Sequence, residues 1–255
     1  MGNWLSDKKM KIKTNILFAL AILLHLSCKK ENLCDCLKGT GEIVTEERVL
    51  TDFNKIYIED DINLVLQEDT QNFLNVEAGE NLIKLIKTEI KDSCLYLRND
   101  NKCNWMRSFK NKVNVSLHYK KLEYITYFKA SGNVSNNGTL HSSFLQVDDY
   151  NGSGKITLNV DVQTSHYSLH TGPADIFISG NTDIAYLYSA GNGVADLRNM
   201  TAGGMYMNNK STNSCYVNAT NTLEVEIGYI GDVYYTGDPP NVKLVTTGSG
   251  KLIKF

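Results

Sequence analysis

Four aspartates in the second half of the chain, Asp148, Asp149, Asp175 and Asp196, stand near two cations, Lys155 and Arg198. Converging in one groove, a carboxylate pair with a base or cation could cleave a polysaccharide as a lyase or hydrolase. Asp175 and Asp196 lie in matching stretches, Pro173-Ala174-Asp175-Ile176 and Val194-Ala195-Asp196-Leu197. If these stack, two carboxylates meet and could hold calcium. The plainer role of aspartates beside turns is to accept backbone amides and face solvent, and that role is favoured here. His166 and His170 have no serine, cysteine or acid placed by a motif, and read as surface residues. The chain contains no Ser-His-Asp elbow, Gly-rich phosphate loop or HExxH motif. The expectation is therefore a protein that is not an enzyme, with no cofactor and no metal.

Tyrosines offer a better handle. Tyr150, Tyr167, Tyr186, Tyr188, Tyr206, Tyr216, Tyr229, Tyr234 and Tyr235 crowd the second half. Exposed aromatic rows stack on sugar rings or form protein interfaces, whereas tyrosine ladders also stabilise strands without binding anything. Tyr186, Tyr188 and Tyr206 are the candidate ligand surface, for a glycan or a protein.

The elements that must position these side chains announce themselves by a repeat. Ala130-Ser131-Gly132, Gly152-Ser153-Gly154, Gly172-Pro173-Ala174, Gly191-Asn192-Gly193, Ser211-Thr212-Asn213, Gly231-Asp232 and Gly248-Ser249-Gly250 recur about every 20 residues between alternating apolar strands. That period suits one coil of short strands and tight turns, and predicts an all-β, right-handed β-helix or β-solenoid. Turn glycines allow positive φ and close approach of coils. Val147, Leu169, Leu187, Met207, Val225 and Leu244 should stack as one inward ladder, and Ile156, Ile176, Leu197, Cys215, Val233 and Leu252 as a second. Gln146, Ser168, Tyr186, Tyr206, Glu224 and Lys243 then face outward. Residues 39–127 read as a β-rich N-terminal portion and 128–255 as the repeat solenoid. Glu80 to Ile90 is compatible with either a helix or a strand pair.

At 255 residues the chain has ample material for a continuous core. With 26 Lys and Arg against 28 acidic residues, it has no basic stripe for phosphate backbones, so nucleic acid is excluded as the expected partner. Lys8, Lys9, Lys11 and Lys13 precede an apolar run from Ile16 to Leu26, too short to span a bilayer, which reads as the core of a signal peptide over residues 1–27. Met10 could equally start it. Leu24-His25-Leu26-Ser27-Cys28 resembles a bacterial lipobox, with His25 as the departure. Cys28 would then carry a lipid anchor to the outer membrane, on its periplasmic or outer side, and residues 28–38 would be a tether. Export makes disulfides available to the remaining cysteines. A bridge from Cys34 or Cys36 to Cys103, with Cys36 and Cys103 as the candidate pair, would contribute roughly 2–4 kcal/mol. Cys215 reads as a small core residue. An open solenoid end also makes a homo-oligomer a candidate.

Several stretches resemble the bacterial GIN-domain family, described as heads of auto-transporter adhesins and common in exported Bacteroidetes proteins. They are Gly39-Thr40-Gly41 with Glu46-Glu47-Arg48, Phe53 to Ile56, Asp60-Asp61-Ile62-Asn63-Leu64, Val76-Glu77-Ala78-Gly79, Cys103-Asn104-Trp105 with Arg107-Ser108, and Gly248-Ser249-Gly250. The resemblance implies a β-helix-like fold shaped like the pectin lyases, no agreed catalytic residues and a role in adhesion. The chain departs from an even pattern at Ser211-Thr212-Asn213 and Gly231-Asp232, where the glycine pair is lost.

Overall fold

A computed structural model describes residues 39–101 and 113–255. These residues form a nearly all-β solenoid of about seven turns. Its strands are β1 (Ile43–Val49), β2 (Lys55–Ile58), β3 (Ile62–Glu68), β4 (Phe73–Gly79), β5 (Ile86–Lys91), β6 (Cys94–Asn99), β7 (Val113–Tyr119), β8 (Tyr124–Phe128) and β9 (Val134–Asn137). They continue with β10 (Leu140–Tyr150), β11 (Lys155–Thr171), β12 (Asp175–Ser189), β13 (Ala195–Asn209), β14 (Cys215–Ile227), β15 (Val233–Thr236), β16 (Asn241–Thr246) and β17 (Leu252–Lys254). Within 80–90, one 3₁₀ turn at Ile83–Leu85 leads directly into β5, so the segment is a turn followed by a single strand, neither the helix nor the strand pair expected.

Two parallel ladders run the length of the stack. One follows β6, β2, β8, β10, β11, β12, β13, β14 and β16. The other follows β7, β3, β9, β11, β12, β13, β14, β15 and β17. The coils are not stacked in chain order, because β2 and β3 are flanked on one side by β6 and β7 and on the other by β8 and β9. Beyond β7 the pairing turns antiparallel, through β4 to β1, and β5 does the same along β6.

Alternation builds the core. In β11 the residues Ile156, Leu158, Val160 and Val162 are buried while their neighbours are not, and each buried aliphatic side chain contributes on the order of 1.5–3 kcal/mol. The inward columns differ from the sequence-based ladders by two residues at two places. Val147 stacks on Tyr167, not Leu169, and Tyr167 on Leu187. Ile176 stacks on Ala195, not Leu197, and Ala195 on Cys215. A slip of two preserves the inward and outward faces, so alternation alone cannot detect it. His166, not Ser168, therefore precedes Tyr186 on the outer face.

The turn glycines answer to close approach more than to backbone conformation. Among the glycines of the predicted turns only Gly172 has a positive φ. A Cβ on Gly193 would fall on the carbonyl oxygen of Ala174 in the coil before. Where the glycine pair is lost, side chains take over the corner. Ser211 Oγ donates to the Gly191 carbonyl at 2.8 Å, and Asn209 Nδ2 donates to the Gly231 carbonyl at 3.0 Å.

Candidate functional site

The second-half aspartates do not converge. Asp149 faces inward, 2% exposed, and its Oδ1 accepts the Gly152 N–H at 2.9 Å. Burial pushes its carboxyl up to about 6, against the opposing pull of that hydrogen bond. Asp148 faces outward and accepts from Gln146 Nε2 at 2.6 Å. Asp175 Oδ1 accepts the Val194 N–H of the next coil at 2.8 Å, which is the turn role favoured from the sequence. Asp196 stands opposite Phe177 rather than Asp175, and accepts from Arg198 Nε at 2.8 Å. The stacked carboxylate pair expected as an alternative is therefore absent, and the two-residue slip is the reason. Lys155 is likewise engaged, its Nζ lying 4.9 Å from the centre of the Phe177 ring. Among the described residues no three His, Cys, Asp or Glu side chains gather as a metal-binding group.

Aromatic side chains instead form continuous rows. Constant spacing places His166, Tyr186 and Tyr206 in one outward column. Ring centroids run from Tyr124 to Phe144 at 5.4 Å, Phe144 to His166 at 5.3 Å, His166 to Tyr186 at 4.5 Å and Tyr186 to Tyr206 at 5.3 Å. A parallel row joins Tyr150 to His170 at 4.3 Å and His170 to Tyr188 at 5.5 Å. His170 enters this row through a bulge, since Asp149 pairs with Leu169 but Tyr150 with Thr171. The centroid spacings follow the strand separation of about 4.7–4.9 Å, and each such ring pair is worth roughly 0.5–1.5 kcal/mol beyond its burial.

The sequence reading treated both histidines as isolated surface residues. The structure makes them members of the rows, and the signal was the 20-residue spacing of 166, 186 and 206. Burial holds the His166 imidazole below its ordinary value, with the Asp148 carboxylate pulling the other way. Tyr167, counted from the sequence among the candidate aromatic row, is 1% exposed and belongs to the core.

Tyr150 with His170 and Tyr186 with Tyr206 are stacked face to face, while the other pairs of the rows are tilted by 40–52°. The row stops at Tyr206, because its column continues to Glu224 and Lys243. The Tyr188 column likewise continues to Asn208, Glu226 and Val245. At this step lies a trough of about 440 Å³ whose lining includes Tyr186, Tyr188, Tyr206, Asn208, Glu224, Glu226, Lys243 and Val245. All three tyrosines singled out from the sequence therefore border one site. Gly204 helps set the Tyr206 ring, which a Cβ there would approach to 3.2 Å. Asn208 Nδ2 donates to Glu226 Oε2 at 2.9 Å, and Lys243 Nζ lies 3.3 Å from Glu224 Oε2. An aromatic wall beside acceptors and one cation can stack a sugar ring and bond its hydroxyls, with a reach of one or two rings rather than a long platform.

A second aromatic cluster lies elsewhere. Tyr216 stacks on Tyr234 at 5.2 Å, the Arg198 guanidinium lies 3.9 Å from the centre of the Tyr216 ring, and Phe255 meets both tyrosines edge-on. Cys215 is 1% exposed in the core, with its thiol pushed up to about 11 by burial. Cys28, Cys34, Cys36, Cys103 and Trp105, together with the segment read as a signal peptide and tether, lie outside the described residues.

Residues 52–239 match the family described as "Putative auto-transporter adhesin, head GIN domain". No curated protein matches the chain. A crystal structure of a "putative adhesin" from Bacteroides fragilis superposes with a TM-score of 0.78 at 22% identity, covering 84% of this chain and 97% of that one. A "putative lipid binding protein" from Parabacteroides distasonis gives 0.67 at 19% identity, covering 85% and 98%. A "putative adhesin" from Parabacteroides merdae gives 0.63 at 19% identity, also covering 85% and 98%. At these identities the likeness is one of fold.

Proposed function

This chain belongs to the GIN-domain family of auto-transporter adhesin heads, and from that premise we propose that it is a non-catalytic recognition module of the cell envelope that takes a glycan in the Tyr188–Tyr206 trough. One observation carries the reading: the aromatic row ends there, so Tyr206 and Tyr188 look onto Asn208, Glu226 and Glu224 instead of onto further rings. A sugar ring completing the row would continue the stack at the same spacing, while the carboxylates and amide accept from and donate to its hydroxyls. Adhesion is the role in keeping with the family. The lipobox-like sequence at Cys28 supports anchoring of the domain to the outer membrane by lipid. A protein ligand carrying an exposed aromatic or aliphatic side chain would use the same wall.

The test is a glycan and host-matrix array probed with residues 29–255, alongside a copy carrying Tyr188→Ser and Tyr206→Ser. Both side chains are partly exposed, so the variant should fold. Glycan binding that disappears in the folded variant is the expected result. Glycan binding that survives it would remove the trough from the proposal, and cleavage of a polysaccharide by the pure protein would replace recognition with catalysis.

A further inference from the structure

The two ends of the coil stack are finished differently. At one end β4 and β5 run back antiparallel along β7 and β6, and β1 adds outside β4, so the last parallel strands are covered. At the other end, among the described residues, β16 pairs only with β14, and β17 only with β15. Every residue of β16 is exposed. Val242 and Leu244 continue the inward columns of Leu223 and Val225, which are buried, yet they are 46% and 45% exposed. Among the described residues nothing covers the core here, beside a row of main-chain groups without ladder partners, a combination that folded proteins ordinarily cover.

The chemistry of this edge selects its occupant. Free ladder groups ask for another strand, and the half-exposed Val242 and Leu244 ask that the strand bring an apolar inward face. A lone peptide strand would cover one edge and leave the rest of the open core. A second copy of this chain brings an equally open core and the same strand. In antiparallel pairing about Leu244, Leu244 of one copy faces Leu244 of the other, and Val242 faces Thr246. Lys243 then faces Val245 on the outer side. Every pair shares a face and no like charges oppose, whereas pairing about Lys243 would set lysine against lysine. The trough adds continuity, because Lys243 and Val245 of this same strand form its far wall.

We propose that two copies of this chain associate end to end through β16, paired antiparallel about Leu244, which sets their two troughs side by side. The pairing itself stands apart from the glycan reading; only the value of adjacent troughs rests on it. Sedimentation of the protein from low to high micromolar concentration should show a closed monomer–dimer equilibrium. Val245→Lys, at a 49% exposed outward position, places a second lysine opposite each Lys243 and should weaken the dimer about tenfold. Under mild oxidation Leu244→Cys should trap a disulfide dimer beyond the level of the unaltered protein, and Lys243→Cys should not. Tyr206→Ser should leave dimerisation unchanged, which separates failure of the trough reading from failure of this one. A concentration-independent monomer, open-ended oligomers, or equal trapping at 243 and 244 would each overturn the proposal.

Discussion

Asp149→Asn should make this protein more stable at neutral pH, although it replaces a buried residue. The carboxyl is 2% exposed between Tyr127 and Leu169 of the neighbouring coils. Its Oδ1 has the Gly152 N–H, and its Oδ2 is buried without a hydrogen-bond partner. Raising it from 3.8 to about 6 makes the ionised form cost on the order of 3 kcal/mol, at about 1.4 kcal/mol for each pH unit. Below pH 3.8 both the folded and the unfolded chain hold the proton, and the cost is nil. Between 3.8 and about 6 the unfolded chain ionises first, so stability falls as pH rises. Above 6 the cost is complete. Asparagine keeps the Oδ1 acceptor, cannot ionise, and mimics the protonated acid. Denaturant melts at pH 3.5 and 7.5 should therefore show the variant about equal to the parent at the lower pH and up to about 3 kcal/mol ahead at the higher. The gain in Tm would be roughly 6–12 °C for a domain of this size. A variant no more stable than the parent at pH 7.5, with the same pH profile, would refute the claim that Asp149 is a destabilising buried charge.

Gly193→Ala should cost at least about 2 kcal/mol in a denaturant melt, because the new Cβ meets the Ala174 carbonyl and main chain on both sides must shift; an unchanged midpoint would mean that the coils can separate locally. His166→Phe should keep the ring row and remove a stability loss on acidification, since an imidazole held below its ordinary value is protonated more readily in the unfolded chain. Melts at pH 5 and 7 should show the variant gaining on the parent only at pH 5.

Much of the architecture was legible because alternation and turn spacing are local signals. The 20-residue period gave the solenoid, and Cys215 was correctly placed in a ladder. Tyr186, Tyr188 and Tyr206 were read onto one face, and they line one trough. Register was less legible. Leu169 and Leu197 were put where Tyr167 and Ala195 stand, since a slip of two keeps the same face inward. Asp175 and Asp196 consequently seemed paired, when Asp175 serves a corner and Asp196 accepts from Arg198 within β13. The histidines were read only as surface residues because a ring in a stack needs no catalytic partner in sequence. What ends the aromatic row is the arrival of Glu224 and Asn208 in its columns, a fact visible only once the columns are correctly aligned.

The order of the coils governs how such a chain can be assembled and how its lineage can lengthen. A regular solenoid is laid down one coil at a time, and each finished coil templates the next. Here β2 and β3, the first coil in chain order, lie between partners made later on both sides. Nothing can be completed until the chain has passed β9, and the loops that close this interlock raise the entropic barrier to its formation. From β10 onward each coil adds to a finished surface. Deletion of coils from the C-terminal side should therefore be graded, while removal of any strand before β10 should unseat the whole. Evolutionary gain and loss of repeats should be confined to the side that grows last.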